Sequence, residues 1–167
     1  QERRMKKTAY MGLFAAVAII FGYVESLLPV FAGIPGIKLG LANLVTVFIL
    51  YTYSFREAAA ISLIRILVIG FMFGNLFSIL FSLAGAALSL ACMTLAKKYL
   101  GLSVTGVSIL GGVTHNLGQI VVAVLVVENV NLFYYFPALL IAGLITGFLI
   151  GILSGEILKR TPGRKLV

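Results

Sequence analysis

The chain has 167 residues, of which 61% are hydrophobic and only 11% charged, with a mean hydropathy of +1.13. No soluble globular domain of this size needs so much apolar surface. The net charge of +8 would suit nucleic acid in a soluble protein, but the basic residues lie between and outside the apolar runs, where they flank membrane spans instead.

Residues 1–7 form a basic leader containing Arg3, Arg4, Lys6 and Lys7. The first apolar run, Thr8 to Leu28, is longer than the roughly 7 to 15 residues of a signal-peptide core, so an uncleaved helix is expected. Pro29, Gly33, Pro35 and Gly36 end it in a stiff loop. A second run, about Leu39 to Tyr53, is short for a span, and Ser54 to Glu57 reads as a tight polar hairpin. The third run, Ala58 to Phe73, carries Arg65 near its middle, and Gly74-Asn75 turns the chain into a fourth that ends at Ala96. A fifth runs from about Val104 to Val127, a polar turn follows at Glu128 to Asn131, and a sixth fills Phe133 to Leu158. Residues 159–167 are a basic tail.

The runs are unbroken rather than alternating, which excludes a closed barrel and predicts an all-α membrane protein, a compact bundle of six transmembrane helices over residues 8–158. Six spans put both termini on one side. The leader, Arg56, Lys97, Lys98 and the tail then share one face, with only Lys38 opposite, so that face is assigned to the cytoplasm and the chain to the cell membrane. Cys92 cannot form an intrachain disulfide, and no zinc or haem spacing exists, so no metal or cofactor is expected.

Against this background the segment Gly111 to Gln119 stands out. In a helix His115 and Gln119 are four apart, and Asn116 and Gln119 three apart, so these groups crowd one side. Topology places Arg65, His115 and Asn116 about halfway through the bilayer, with Gln119, Glu25, Asn43 and Lys38 further out. Polar groups at that depth need a partner helix, water or a ligand, and a binding pocket is the functional reading. Arg65 could equally pair with Glu25 inside the bundle. Arg65 and Lys38 would attract an anion, and the surrounding aliphatic residues an apolar remainder, which describes a small amphiphilic molecule. The loop Pro29 to Lys38 would cover the outer mouth as a lid. Gly143, Gly147, Gly151 and Gly155 line one face of the sixth run, a seam for close helix packing, within the bundle in preference to between two copies of the chain.

The run Pro35-Gly36-Ile37-Lys38-Leu39-Gly40-Leu41-Ala42-Asn43-Leu44, with His115-Asn116-Leu117-Gly118-Gln119, resembles the membrane family labelled Gx transporter or heptaprenyl diphosphate synthase component I, over Lys6 to Lys159. That family is in turn similar in size and layout to the substrate-binding S components of energy-coupling factor vitamin transporters. The resemblance implies an outward-facing site for a vitamin-like ligand and docking on a transmembrane coupling subunit driven by ATPases. Docking would use small residues of the first helix, here Gly12 and Ala16 with Ala9 and Ala15, a departure from the usual all-alanine motif. The synthase label meets a chemical obstacle. Prenyl diphosphate synthases hold diphosphates through Mg²⁺ on aspartate clusters, and this chain has no aspartate, so at most it is a non-catalytic membrane partner in an isoprenoid or quinone pathway.

Overall fold

A computed structural model describes residues 1–27 and 40–161. The expected lid, Pro29 to Lys38, lies outside these residues, as does the tail beyond Thr161. The chain is helical throughout: α1 (Glu2–Leu27), α2 (Asn43–Thr52), α3 (Phe55–Phe73), α4 (Leu76–Leu95, continued by a π-helical turn, Ala96–Leu100), α5 (Val104–Val127) and α6 (Phe136–Arg160), the last entered through a 3₁₀ turn at Val130–Tyr135. No strand occurs among the described residues.

Local chemistry sets most of the boundaries. Ser54 is not part of a hairpin, as its sequence context suggested. It sits extended before α3 and accepts the Arg56 N–H at 3.3 Å, so Phe55, Arg56 and Glu57 form the first helical turn. Asn75 and Ser78 cap α4 reciprocally, and Ser103 accepts the Gly106 N–H at 3.1 Å to open α5. The leader is helical from Glu2 and continuous with α1, and Phe133 belongs to the 3₁₀ turn rather than to α6.

Four helical stretches are long and apolar enough to cross a bilayer, namely α1, α4 with its π turn, α5, and α6 with its 3₁₀ turn. The ten residues of α2 are too few, and α3 carries Arg56, Glu57 and Arg65 within its 19 residues.

The helices form a closed circuit in which α1 packs on α3, α3 on α4, α4 on α5, α5 on α6, and α6 on α2, which returns to α3. The α4–α5–α6 side is sewn backbone to backbone. Cβ atoms on Gly112 and Gly143 would come within 2.6 and 2.9 Å of each other's helix, and on Gly147 and Gly151 within 2.7 Å of Ile109 and Thr105 Cα. Gly118 on α5 and Gly85 on α4 close the other flank, with Cβ positions 2.9 Å from the Ala84 carbonyl and 2.7 Å from that of His115. Where lipid supplies no hydrophobic drive between helices, such contact gives dispersion its shortest range. Hydroxyls pin the seams, Ser89 to the Gly111 carbonyl at 2.9 Å and Ser108 to the Gly147 carbonyl at 2.8 Å.

The largest apolar cluster, including Ala18, Val47, Ile49, Leu50, Ala58, Ile61, Leu90, Met93 and Val107, fills the half of the bundle nearest the N-terminus and the α4–α5 turn. A Thr46–Ser62 hydroxyl contact at 3.2 Å lies at its border, and the buried charged and amide side chains lie beyond it.

At the other end of that core Lys7 donates to Glu57 at 2.5 Å and ties α1 to α3. Hydrogen bonds from Lys7 and then from the Ser54 hydroxyl hold the Glu57 carboxyl down at about 2, below its ordinary 4.5. A depressed carboxyl stabilises the fold above its unfolded value, and that contribution disappears as pH falls from about 4.5 toward 2. Lys7 is nearly half exposed, so Lys7→Ala should cost only about 1 kcal/mol at pH 7 and much less at pH 2, where the carboxyl is largely protonated in the unfolded chain and partly so in the fold, measured by denaturant titration in micelles.

Candidate functional site

Seven polar residues were singled out for a pocket. Of the six described, Glu25, Arg65, His115, Asn116 and Gln119 are buried, between 4% and 7% exposed, and Asn43 is half-buried. Lys38 lies outside the described residues.

Arg65 reaches this position because Gly22 leaves α1 bare beside it. A Cβ on Gly22 would lie 3.6 Å from Arg65 Cγ and 3.0 Å from Ile69 Cγ1. The guanidinium is within electrostatic range of the Glu25 carboxylate, one turn along α1. Its Nε is buried and has no hydrogen-bond partner among the described residues. Glu25 also accepts the backbone N–H of Gly40, where the chain returns to the bundle. Gly40 has φ +82, a left-handed conformation that suits glycine, and its neighbour across the turn is Asn43, whose Nδ2 would be 3.1 Å from a Cβ there. Arg65, Glu25, Gly40 and Asn43 thus form one continuous cluster where α1, α3 and the start of α2 meet.

On α5 the two glycines 111 and 112 face opposite ways, toward Met93 and Ser89 of α4 and toward Gly143 and Gly147 of α6. The polar residues that follow divide likewise. His115 and Gln119 lie against Gly85 of α4, whose Cβ would be 3.1 Å from His115 Cε1 and 2.8 Å from Gln119 Cγ. Asn116 turns to α6 and donates to the Leu139 carbonyl at 2.8 Å. The asparagine therefore staples two helices, while the histidine and glutamine form a pair set by α4.

Gly85, beside His115 and Gln119, and Gly22, beside Arg65, are neighbours of the polar groups that the sequence reading does not name. On α4 a signal existed, because Ser82, Gly85, Ala86 and Ser89 recur at helical spacing on one buried face. The small residues of α1 look outward. Ala9, Gly12 and Ala16 are exposed, Ala15 is half-buried, and a Cβ on Gly12 would meet nothing within 4 Å among the described residues.

The buried polar groups thus fall in two sets, a guanidinium and carboxylate where α1 meets α3, and an imidazole and amide of α5 against α4. No three His, Cys, Asp or Glu gather into a metal site among the described residues. A family model described as heptaprenyl diphosphate synthase component I matches residues 14–157. No curated protein and no solved structure matches the chain.

Proposed function

We propose, from the chain's membership of the heptaprenyl diphosphate synthase component I family, that it is a membrane-embedded, non-catalytic accessory subunit of an isoprenoid diphosphate-handling assembly, and that its buried polar groups hold the head of a small amphiphile. The observation that carries the ligand reading is Arg65, a cation 5% exposed inside an apolar bundle with a buried Nε lacking a partner among the described residues. A component by name implies a second component, and an aspartate-free chain leaves the Mg²⁺-diphosphate chemistry to it. In this reading the protein sits in the cell membrane as a six-helix bundle with both termini cytoplasmic, in keeping with its one-sided lysines and arginines. His115 and Gln119, with Asn43, complete the wall, and Asn116 fixes it to α6.

The test is affinity purification of the full chain from its own membranes, with farnesyl diphosphate as the binding probe. A soluble prenyl-chain-lengthening protein should copurify and the probe should bind saturably. Recovery of neither would overturn the proposal.

One observation favours a second reading, an S-component-like subunit for uptake of a small amphiphilic or anionic, vitamin-like compound. The exposed Ala9, Gly12 and Ala16 face would fit a transmembrane coupling subunit with its ATPases. Because Gly12 has open space around it, Gly12→Leu should leave thermal stability unchanged. Under this reading it should also reduce copurifying ATPase at least tenfold, whereas equal recovery from wild type and variant discards it.

A further inference from the structure

The glycine seam between α5 and α6 does not run to its end. At Gly151 the helices still touch, with a Cβ position 2.7 Å from Thr105 Cα, but one turn later a Cβ on Gly155 would meet nothing within 4 Å among the described residues. The helices part there and leave a groove of about 530 Å³ at the turn of the bundle where the apolar runs give way to basic residues. Its size falls within the roughly 300–1,000 Å³ of small-molecule sites. Its apolar wall is Val104, Ile152 and Leu158, and Glu156 and Lys159 stand at its polar rim.

In a bilayer a groove open between the ends of two apolar helices would be reached by lipid, and its apolar wall is the right surface for an acyl chain. The rim decides which lipid. Lys159 and the adjoining Arg160 outweigh Glu156 by one positive charge. Lys159 now bonds Glu156 at 2.9 Å, but both side chains are at least half exposed, at 75% and 51%, and an exposed pair three residues apart contributes little, so a phosphate can take the lysine over. Basic recesses between helices at the headgroup level are suited to anionic lipids.

We propose that this groove binds one anionic phospholipid, its acyl chain along Val104, Ile152 and Leu158 and its phosphate on Lys159. The site is separate from the Arg65 cluster, which lies beyond the apolar core from this end of the bundle, so the two readings stand or fall independently.

The full-length protein, delipidated in detergent, is titrated with phosphatidylglycerol and with phosphatidylcholine of the same acyl composition, and adducts are counted by native mass spectrometry. Phosphatidylglycerol should bind at least tenfold more tightly. Gly155→Leu fills the groove from a position with open space, and should abolish the adduct without lowering the melting temperature. Lys159→Gln, on an exposed side chain, should bring phosphatidylglycerol down to the phosphatidylcholine level. Equal binding of the two lipids by the wild type, or phosphatidylglycerol binding unchanged in both variants, overturns the proposal.

Discussion

Arg65→Met is expected to destabilise the protein by about 3 kcal/mol and to abolish binding of an anionic amphiphile. The cost arises because Glu25, 4% exposed, stays buried after the facing guanidinium charge is gone. Methionine keeps much of the length and apolar contact of the arginine stem, so lost packing contributes little. Adding Glu25→Gln should return most of the stability, since an amide is far cheaper to bury than a carboxylate that has lost a facing cation, but it should not return binding. Denaturant unfolding in nanodiscs, with equilibrium binding of farnesyl diphosphate on the same samples, separates the two effects. A single variant as stable as wild type would show that Arg65 does not hold α1 and α3 together. A double variant that still binds would remove Arg65 from the site.

Gly147→Leu should cost at least about 3 kcal/mol, because its Cβ position is 2.7 Å from Ile109 Cα and 2.9 Å from the Ser108 carbonyl. Backbone cannot step aside as a side chain can. The helices must separate, which also breaks the Ser108 bond to the Gly147 carbonyl and strains the Asn116 bond to Leu139 two turns away. The same substitution at Gly155, on the same glycine stripe, should be nearly neutral. Size-exclusion profiles and melting temperatures of the two variants give the comparison, and equal behaviour would mean that the α5–α6 seam carries no stability.

The contrast between those glycines shows what one-dimensional pattern can and cannot say. Spacing at 143, 147, 151 and 155 marks a face, but whether a neighbour follows it to the end depends on the crossing angle of two helices. The limits of α5 were legible because Ser103 and Glu128 are local signals at its two ends. The Ser54-x-x-Glu57 pattern was also local and was misread, since serine followed three residues later by glutamate is a helix start as much as a turn. The start of α2 was displaced from Leu39 to Asn43, because Gly40 is held in a turn by Glu25, fifteen positions earlier in sequence. Arg65, His115 and Gln119, polar groups inside apolar runs, are buried, whereas the division of labour between Asn116 and its neighbours depends on which helix lies on which side of α5.

The shortness of α2 bears on how the protein is made. Ten residues rise about 15 Å, half the thickness of a bilayer's hydrocarbon, and α3 brings three charged side chains with it. Neither segment is a good insertion signal alone, and only Tyr53 and Ser54 separate them. They are therefore expected to enter the membrane together as a helical hairpin. The helix already synthesised, α1, carries countercharges for the first turn and the middle of α3, Lys7 for Glu57 and Glu25 for Arg65. Translation order thus supplies the template before the charged helix arrives, and a chain permuted to place α1 last would have to insert Arg65 unescorted.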